Sequence, residues 1–171
     1  MRPRPALRLK PAGRRSAGRG AAVPATPAAR RARRDAARLL DANANRALEG
    51  LRVTEELLRF LWRRPVLWRR CRSLRHEIAA AIESFGIPIE ERLRARNSLR
   101  DPGRRVSGGR VGTPERVLLI NFQRVKEALR VLEECARVVA PRRTAALQRL
   151  RFRVYDAERL ILLRVAALRH H

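Results

Sequence analysis

Residues 40–61 read Leu40-Asp41-Ala42-Asn43-Ala44-Asn45-Arg46-Ala47-Leu48-Glu49-Gly50-Leu51-Arg52-Val53-Thr54-Glu55-Glu56-Leu57-Leu58-Arg59-Phe60-Leu61. Within them Leu40, Ala44, Ala47, Leu51, Thr54, Leu58 and Leu61 recur at alternating steps of four and three. That spacing lines one side of an α-helix with apolar groups for six turns. Pro65 suits the first turn of a second helix. Leu67, Cys71, Leu74, Ile78, Ala81 and Phe85 then repeat the pattern until Gly86 and Pro88 stop it.

Further on, Thr113 is placed to cap a third long helix, with Pro114 in its first turn and Glu115 at the positive end of its dipole. Its stripe is Leu118, Phe122, Val125, Leu129, Leu132, Ala136 and Val139. Pro141 opens a fourth, which turns Leu147, Leu150, Val154, Ala157 and Ile161 inward. Residues 96–113 carry the turn chemistry of Asp101-Pro102-Gly103 and Gly108-Gly109, with room for one short helix around Leu93 before them. No strand of useful length appears. The expected fold is all-α: an antiparallel four-helix bundle.

The bundle repeats itself. At a shift of 78 residues the first helix falls on the third: Asn43 on Asn121, Arg46 on Arg124, Glu49 on Glu127, Glu55 on Glu133 and Arg59 on Arg137. At a shift of 76 the second falls on the fourth: Leu74 on Leu150, Arg75 on Arg151 and Ile78 on Val154. Two helical hairpins related by a pseudo-twofold axis follow from this. Packing alone would keep apolar positions. Matched Asn, Arg and Glu point to a polar site built from both hairpins, with common descent of the halves as the plainer explanation.

Length and composition set outer bounds. A chain of 171 residues is too short for a (β/α)8 barrel, which needs roughly 200 or more. No apolar run is long enough to span a membrane, and no secretory h-region follows the first residue. Two cysteines, Cys71 and Cys135, suit a reduced cytoplasmic setting, and buried thiols are expected because metal-ligand spacing is absent. Basic residues number 41 against 16 acidic, a net charge of +25. The basic set is almost wholly arginine, as coding bias would make it, so nucleic-acid binding ranks low as a main function. Residues 1–34 hold no acidic residue and no apolar period; they read as a disordered basic tail ahead of a domain over 35–171. A polybasic arm, a targeting peptide and an over-extended gene start all suit that tail.

The polar residues divide on a helical wheel. Glu49, Arg52, Glu56 and Arg59, and likewise Glu127, Arg130, Glu134 and Arg137, form ladders suited to a solvated face. Asn43, Glu55, Asn121 and Glu133 flank the core stripe and need partners or a ligand, with Arg46, Arg124, Arg75 and Arg151 in reach. Carboxylates with arginines suit a magnesium–phosphate ligand or structural ion pairs. The loop through Arg100, Asp101, Gly103 and Arg105 to Gly108-Gly109-Arg110 could close over a phosphate, although it lacks the Walker-A pattern. His76 reads as structural. Tyr155 could stack on a base or cap the core.

The segments Leu40 to Val53 and Asn121 to Glu134, with Asp101-Pro102-Gly103 and Leu150-Arg151-Phe152-Arg153-Val154-Tyr155, resemble the small monofunctional hydroxymethylpyrimidine-phosphate kinase family of thiamine biosynthesis. Its members occur alone or fused ahead of thiamine-phosphate synthase. The resemblance covers about residues 36–163 and implies ATP-dependent phosphorylation of the pyrimidine phosphate to its diphosphate, by a stand-alone member. Chemistry placed on the matching positions makes Arg46, Arg124, Glu55 and Glu133 catalytic. Mg²⁺ falls to Glu55 and Glu133, with Asp101 as a further candidate. Phosphate falls to Arg75, Arg151 and Lys126 beside Arg46 and Arg124, while Asn43, Asn121 and Gly103 orient the substrate. Rival readings are a non-catalytic partner of thiamine-phosphate synthase and a basic helical nucleic-acid binder. A homodimer is compatible with all three.

Overall fold

The computed structural model describes residues 26–106 and 108–166. Four long helices form the body: α1 (Pro27–Glu56), α2 (Pro65–Glu83), α4 (Pro114–Val139) and α5 (Thr144–Ala166). The short α3 (Ile89–Ala95) precedes the long connection. Among the described residues there is no strand. Packing runs in a ring, α1 on α2, α2 on α5, α5 on α4 and α4 on α1, with α3 laid against α1. The bundle of two hairpins expected from the repeat is therefore the fold.

The core is the set of matched stripes. Leu40, Ala44, Ala47, Leu51, Thr54 and Leu58 are buried, as are Leu118, Phe122, Val125, Leu129, Leu132 and Ala136. Cys71, Leu74 and Ile78 meet Leu147, Leu150, Val154, Ala157 and Ile161 from the other hairpin. Burial also pushes the Cys71 thiol up to about 12, with Glu55 adding to the rise.

Three expectations change. Helix α1 begins at Pro27, not Asp35, so residues 27–34 are helical rather than part of a disordered tail; residues 1–25 of that tail lie outside the described residues. The reason is local: Thr26 accepts from the Ala29 N–H at 3.2 Å, Pro27 sits in the first turn, and Ala and Arg carry the helix on. Arg33 then forks onto Glu91 of α3 at 2.7 and 2.8 Å. Second, Leu61 is half exposed rather than in the core. Residues Leu57–Leu61 form a π-helical turn, in which the Trp62 N–H reaches the Leu57 carbonyl, and the wider turn rotates Leu61 off the stripe. Third, Val139 is exposed, since α4 ends there.

The connection from α3 to α4 contains two short 3₁₀ turns, Ser98–Arg100 and Pro102–Arg105. Thr113 caps α4 by accepting from the Arg116 N–H at 3.2 Å. Pro141 opens a 3₁₀ turn, Pro141–Arg143, and α5 starts after it.

Candidate functional site

Helices α1 and α4 cross in antiparallel order. Cys135 Sγ lies 3.9 Å from the Ala36 carbonyl, and Gly50 sits so close to Asn121 and Val125 that an added Cβ would come within 2.7 Å of Val125 Cγ2. The Ala36–Cys135 and Gly50–Asn121 contacts join residues whose numbers add to 171 and the Gly50–Val125 contact to 175, whereas repeat partners differ by 78; the conditions meet between Arg46 and Glu49 on α1 and between Arg124 and Glu127 on α4. The pseudo-twofold axis therefore passes between these two arginines.

A cleft of about 590 Å³ opens there. Its lining consists of five repeat pairs: Asn43 with Asn121, Arg46 with Arg124, Glu49 with Glu127, Gly50 with Ala128, and Val53 with Val131. Four of the five pairs are identical in type, Gly50 with Ala128 being the exception, and the pairs are equivalent in environment. Both asparagines are buried, both arginines and both glutamates are exposed, and the valines are 37% and 38% exposed. Asn43 Nδ2 donates to the Leu39 carbonyl at 2.9 Å, and Asn121 Nδ2 to the Val117 carbonyl at 2.8 Å. These bonds fix both amides and leave each Oδ1 without a partner among the described residues. Neither Arg46 nor Arg124 has an ion-pair or hydrogen-bond partner among them, while Glu127 Oε1 accepts from Gln123 at 2.8 Å. Two unpaired guanidinium groups thus flank one concave surface, which suits an anion with oxygens to either side.

The other expected site residues lie elsewhere. Glu55 and Glu133, expected to hold Mg²⁺, are buried and paired with arginine instead. Arg75 reaches Glu55 at 2.6 and 3.4 Å, and Arg151 reaches Glu133 at 2.5 and 3.3 Å. Arg52 and Arg130 approach the same carboxylates at 3.8 and 3.2 Å. With both oxygens of each carboxylate taken by guanidinium, these residues join α1 to α2 and α4 to α5 and do not line the cleft. Lys126 is 2.7 Å from Glu158 and lies over the Tyr155 ring, so it too is engaged within the second hairpin. Tyr155 accepts from Arg151 at 3.0 Å. Asp101 accepts from the Gly103 N–H at 2.8 Å, a local turn that lines a separate shallow depression.

Glu49 and Glu127 were expected on a solvated ladder and instead line the cleft. Arg52 pairs with Glu56 at 2.6 Å and Arg130 with Glu134 at 2.7 Å, so each ladder runs without its first glutamate. A signal was present: Asn43, Arg46, Gly50 and Val53 are spaced 3, 4 and 3, a second stripe beside the core stripe, matched across the repeat. Of the connection, the glycine-rich part reaches the site. Gly108, Gly109, Arg110 and Gly112 border a depression of about 490 Å³ that shares Asn121 and Arg124 with the cleft and adds Arg116. No group of three metal-binding side chains occurs among the described residues. No described helix is long and apolar enough to cross a membrane.

A model of the ThiD2 family matches residues 38–160. The chain is 42% identical over 125 residues to a thiamine-phosphate synthase of Gloeobacter violaceus, covering 71% of this chain and 35% of that protein. It is 39% identical over 124 residues to one of Nostoc punctiforme, covering 71% and 34%. A third, of Thermosynechococcus vestitus, is 39% identical over 130 residues, covering 74% and 35%. The matched region is about a third of the length of these curated relatives. No solved structure matches the chain.

Proposed function

The chain belongs to the ThiD2 family, and from that premise we propose that it acts in thiamine biosynthesis as a kinase of hydroxymethylpyrimidine phosphate, making the diphosphate with ATP as donor. The observation that carries this reading is the pairing of unpartnered Arg46 and Arg124 across the axis of one cleft. Donor and acceptor in this reaction both present phosphate, so the transferring phosphoryl group has a phosphate on either side. Two like halves, each with Asn, Arg and Glu, suit that near-symmetric chain of phosphates. The attacking phosphate oxygen is already anionic and needs no strong base. Rate enhancement rests on positioning and on neutralising charge.

Selectivity for the phosphate over the free alcohol follows from the same groups. An alcohol would leave one arginine and one asparagine oxygen unpaired and the ring poorly oriented. Magnesium fits the donor set of the cleft. Glu49 and Glu127 bring two carboxylates to it, and Mg²⁺ favours one or two carboxylates with phosphate and water oxygens for the rest. These two residues, rather than Glu55 and Glu133, would hold it, and it would supply charge neutralisation when bound.

A coupled ADP-release assay with Mg-ATP tests the reading, with the pyrimidine phosphate in one tube and the free alcohol in another and the product identified by mass. Diphosphate from the first tube alone is expected. A second reading draws on the relatives named thiamine-phosphate synthase, which carry the matched region as about a third of a longer chain. In it, the chain is a non-catalytic partner of such a synthase. A stable complex with the synthase and no ATP turnover by a folded chain would favour it and end the kinase reading.

A further inference from the structure

The halves match at the cleft and differ just outside it. In the second half the cleft continues, through Asn121 and Arg124, into the depression bordered by Arg116 and the Gly108–Gly112 segment. The equivalent ground in the first half is a smaller, separate depression of about 330 Å³, lined by Arg34, Asp35, Arg38 and residues 94–97, that shares no residue with the cleft. Residues 30–34, which correspond to 108–112, are helical, and Arg33 among them is spent on Glu91. Arg96, which lines that depression, forks onto Asp41 at 2.7 and 2.8 Å.

The glycines of the open side answer no need of the fold. A Cβ built on Gly108, Gly109 or Gly112 would meet nothing within 4 Å, and none of the three has a positive φ. Their backbone N–H groups have no partner among the described residues. What the missing side chains leave is bare, unpaired backbone facing open space, the surface that polyphosphates use. The Arg110 and Arg116 side chains also lack partners among the described residues, which adds two cations on this side.

We propose that the donor and acceptor sides of the cleft are thereby assigned. The triphosphate of the nucleotide lies along Gly108–Gly112 and Arg116 and ends at Arg124. The single phosphate of the pyrimidine is held across the axis by Asn43 and Arg46. This rests on the kinase reading. In the transfer step a non-bridging oxygen of the pyrimidine's phosphate bonds to the γ-phosphorus. The bond from that phosphorus to the β–γ bridging oxygen breaks, and its electron pair leaves with ADP. Cations stand on both sides, with Arg38 at the position that Arg116 holds in the second half; what a triphosphate needs beyond them is free N–H groups, which residues 108–112 offer and residues 30–34 spend within α1.

The test compares Arg116→Ala with Arg46→Ala in the full chain. Both residues are exposed and lack side-chain partners among the described residues, so both variants should fold. Binding of a non-hydrolysable ATP analogue is measured by calorimetry, and KM for each substrate by the ADP-release assay. Arg116→Ala is expected to weaken analogue binding and raise KM for ATP by about tenfold or more, leaving KM for the pyrimidine phosphate near wild type. Arg46→Ala should do the converse. Diphosphate formation with analogue binding indifferent to Arg116 would overturn the donor assignment and leave the kinase standing. Analogue binding that depends on Arg116 in a chain that makes no diphosphate would end the kinase reading and support the nucleotide site. An opposite pattern in KM would reverse the two sides.

Discussion

The two ends of the pseudo-twofold axis are built on opposite terms. Where it emerges between α1 and α4, equivalent residues are identical: Arg46 faces Arg124 and Glu49 faces Glu127, with neither arginine paired among the described residues. Where it passes between α2 and α5, equivalent residues are opposite. Glu77 and Arg153 correspond at the 76-residue shift and form a two-pronged ion pair with each other. A strict dimer could not do this, because identical residues would meet on its axis. Joining the halves in one chain let the closed end become an ion pair. The open end kept its like charges, which repel unless an anion sits between them. That difference separates an end that holds the bundle together from one whose unpaired charges suit an anion.

Removing the cleft arginines should have the largest effect. Arg46→Ala and Arg124→Ala are each expected to lower kcat/KM by roughly 10²–10³, the cost typical of losing one charge-stabilising donor. Stability should stay within about 0.5 kcal/mol, since both side chains are exposed and unpartnered. Activity assays beside urea melts would read both. Equal losses of stability and activity would make the two ends alike.

Breaking the matched supports should act the other way round. Glu133→Gln, or Glu55→Gln in the other half, leaves an arginine only partly reached by water, with Arg151 12% and Arg75 21% exposed in their side chains. A loss of about 2–3 kcal/mol is expected, below the range for a fully buried pair because solvent screens these arginines. The two halves should respond alike in denaturant melts. Gly50→Ala comes next. Its Cβ would crowd Val125 Cγ2 and the Asn121 carbonyl, at 2.7 and 3.0 Å. Overpacking outweighs the helix propensity gained and should cost about 1–2 kcal/mol while widening the cleft; a more stable and equally active variant would count against the close crossing.

The smallest effect belongs to the closed end. Arg153 holds the Glu77 carboxyl below its ordinary value of 4.5 through hydrogen bonds, which Ser73 and charge attraction reinforce. A depressed carboxylate contributes stability that is complete above the ordinary value and is lost as pH falls through the lowered one. Glu77→Gln should therefore cost less than about 1 kcal/mol near pH 7, as exposed pairs do. The gap from wild type should close in acid, measured by melts at pH 7 and pH 3. A gap that widened in acid would contradict the pairing.

Much of the fold was legible because it is carried by periodicity. The stripes through Leu40 and Leu118 needed only helical spacing, and the repeat set the halves in correspondence. Leu61 was misread because a π-turn changes the period without any signal in apolar spacing, and residues 27–34 because arginine-rich sequence looks disordered until a cap and an ion pair with α3 hold it. The site was legible in part. Asn43, Arg46, Asn121 and Arg124 do meet, as their matched identities suggested. Glu49 and Glu127 were hidden because an i,i+3 ladder looks the same on a solvated face and in a groove between crossing helices. For Glu55 and Glu133, expected to hold magnesium, the structure shows arginine partners 20 and 18 residues away in sequence, Arg75 and Arg151, on both carboxylates. Such pairings depend on where helices cross, which spacing along one helix does not encode.

The most direct measurement is the stoichiometry of the pyrimidine diphosphate on the full chain, by titration calorimetry with Mg²⁺ present. A single shared cleft on the axis requires one molecule bound per chain, with both Arg46→Ala and Arg124→Ala weakening that one event. Two molecules per chain, each lost with only one of the arginines, would mean that each hairpin carries its own site and that the axis is a relic of duplication.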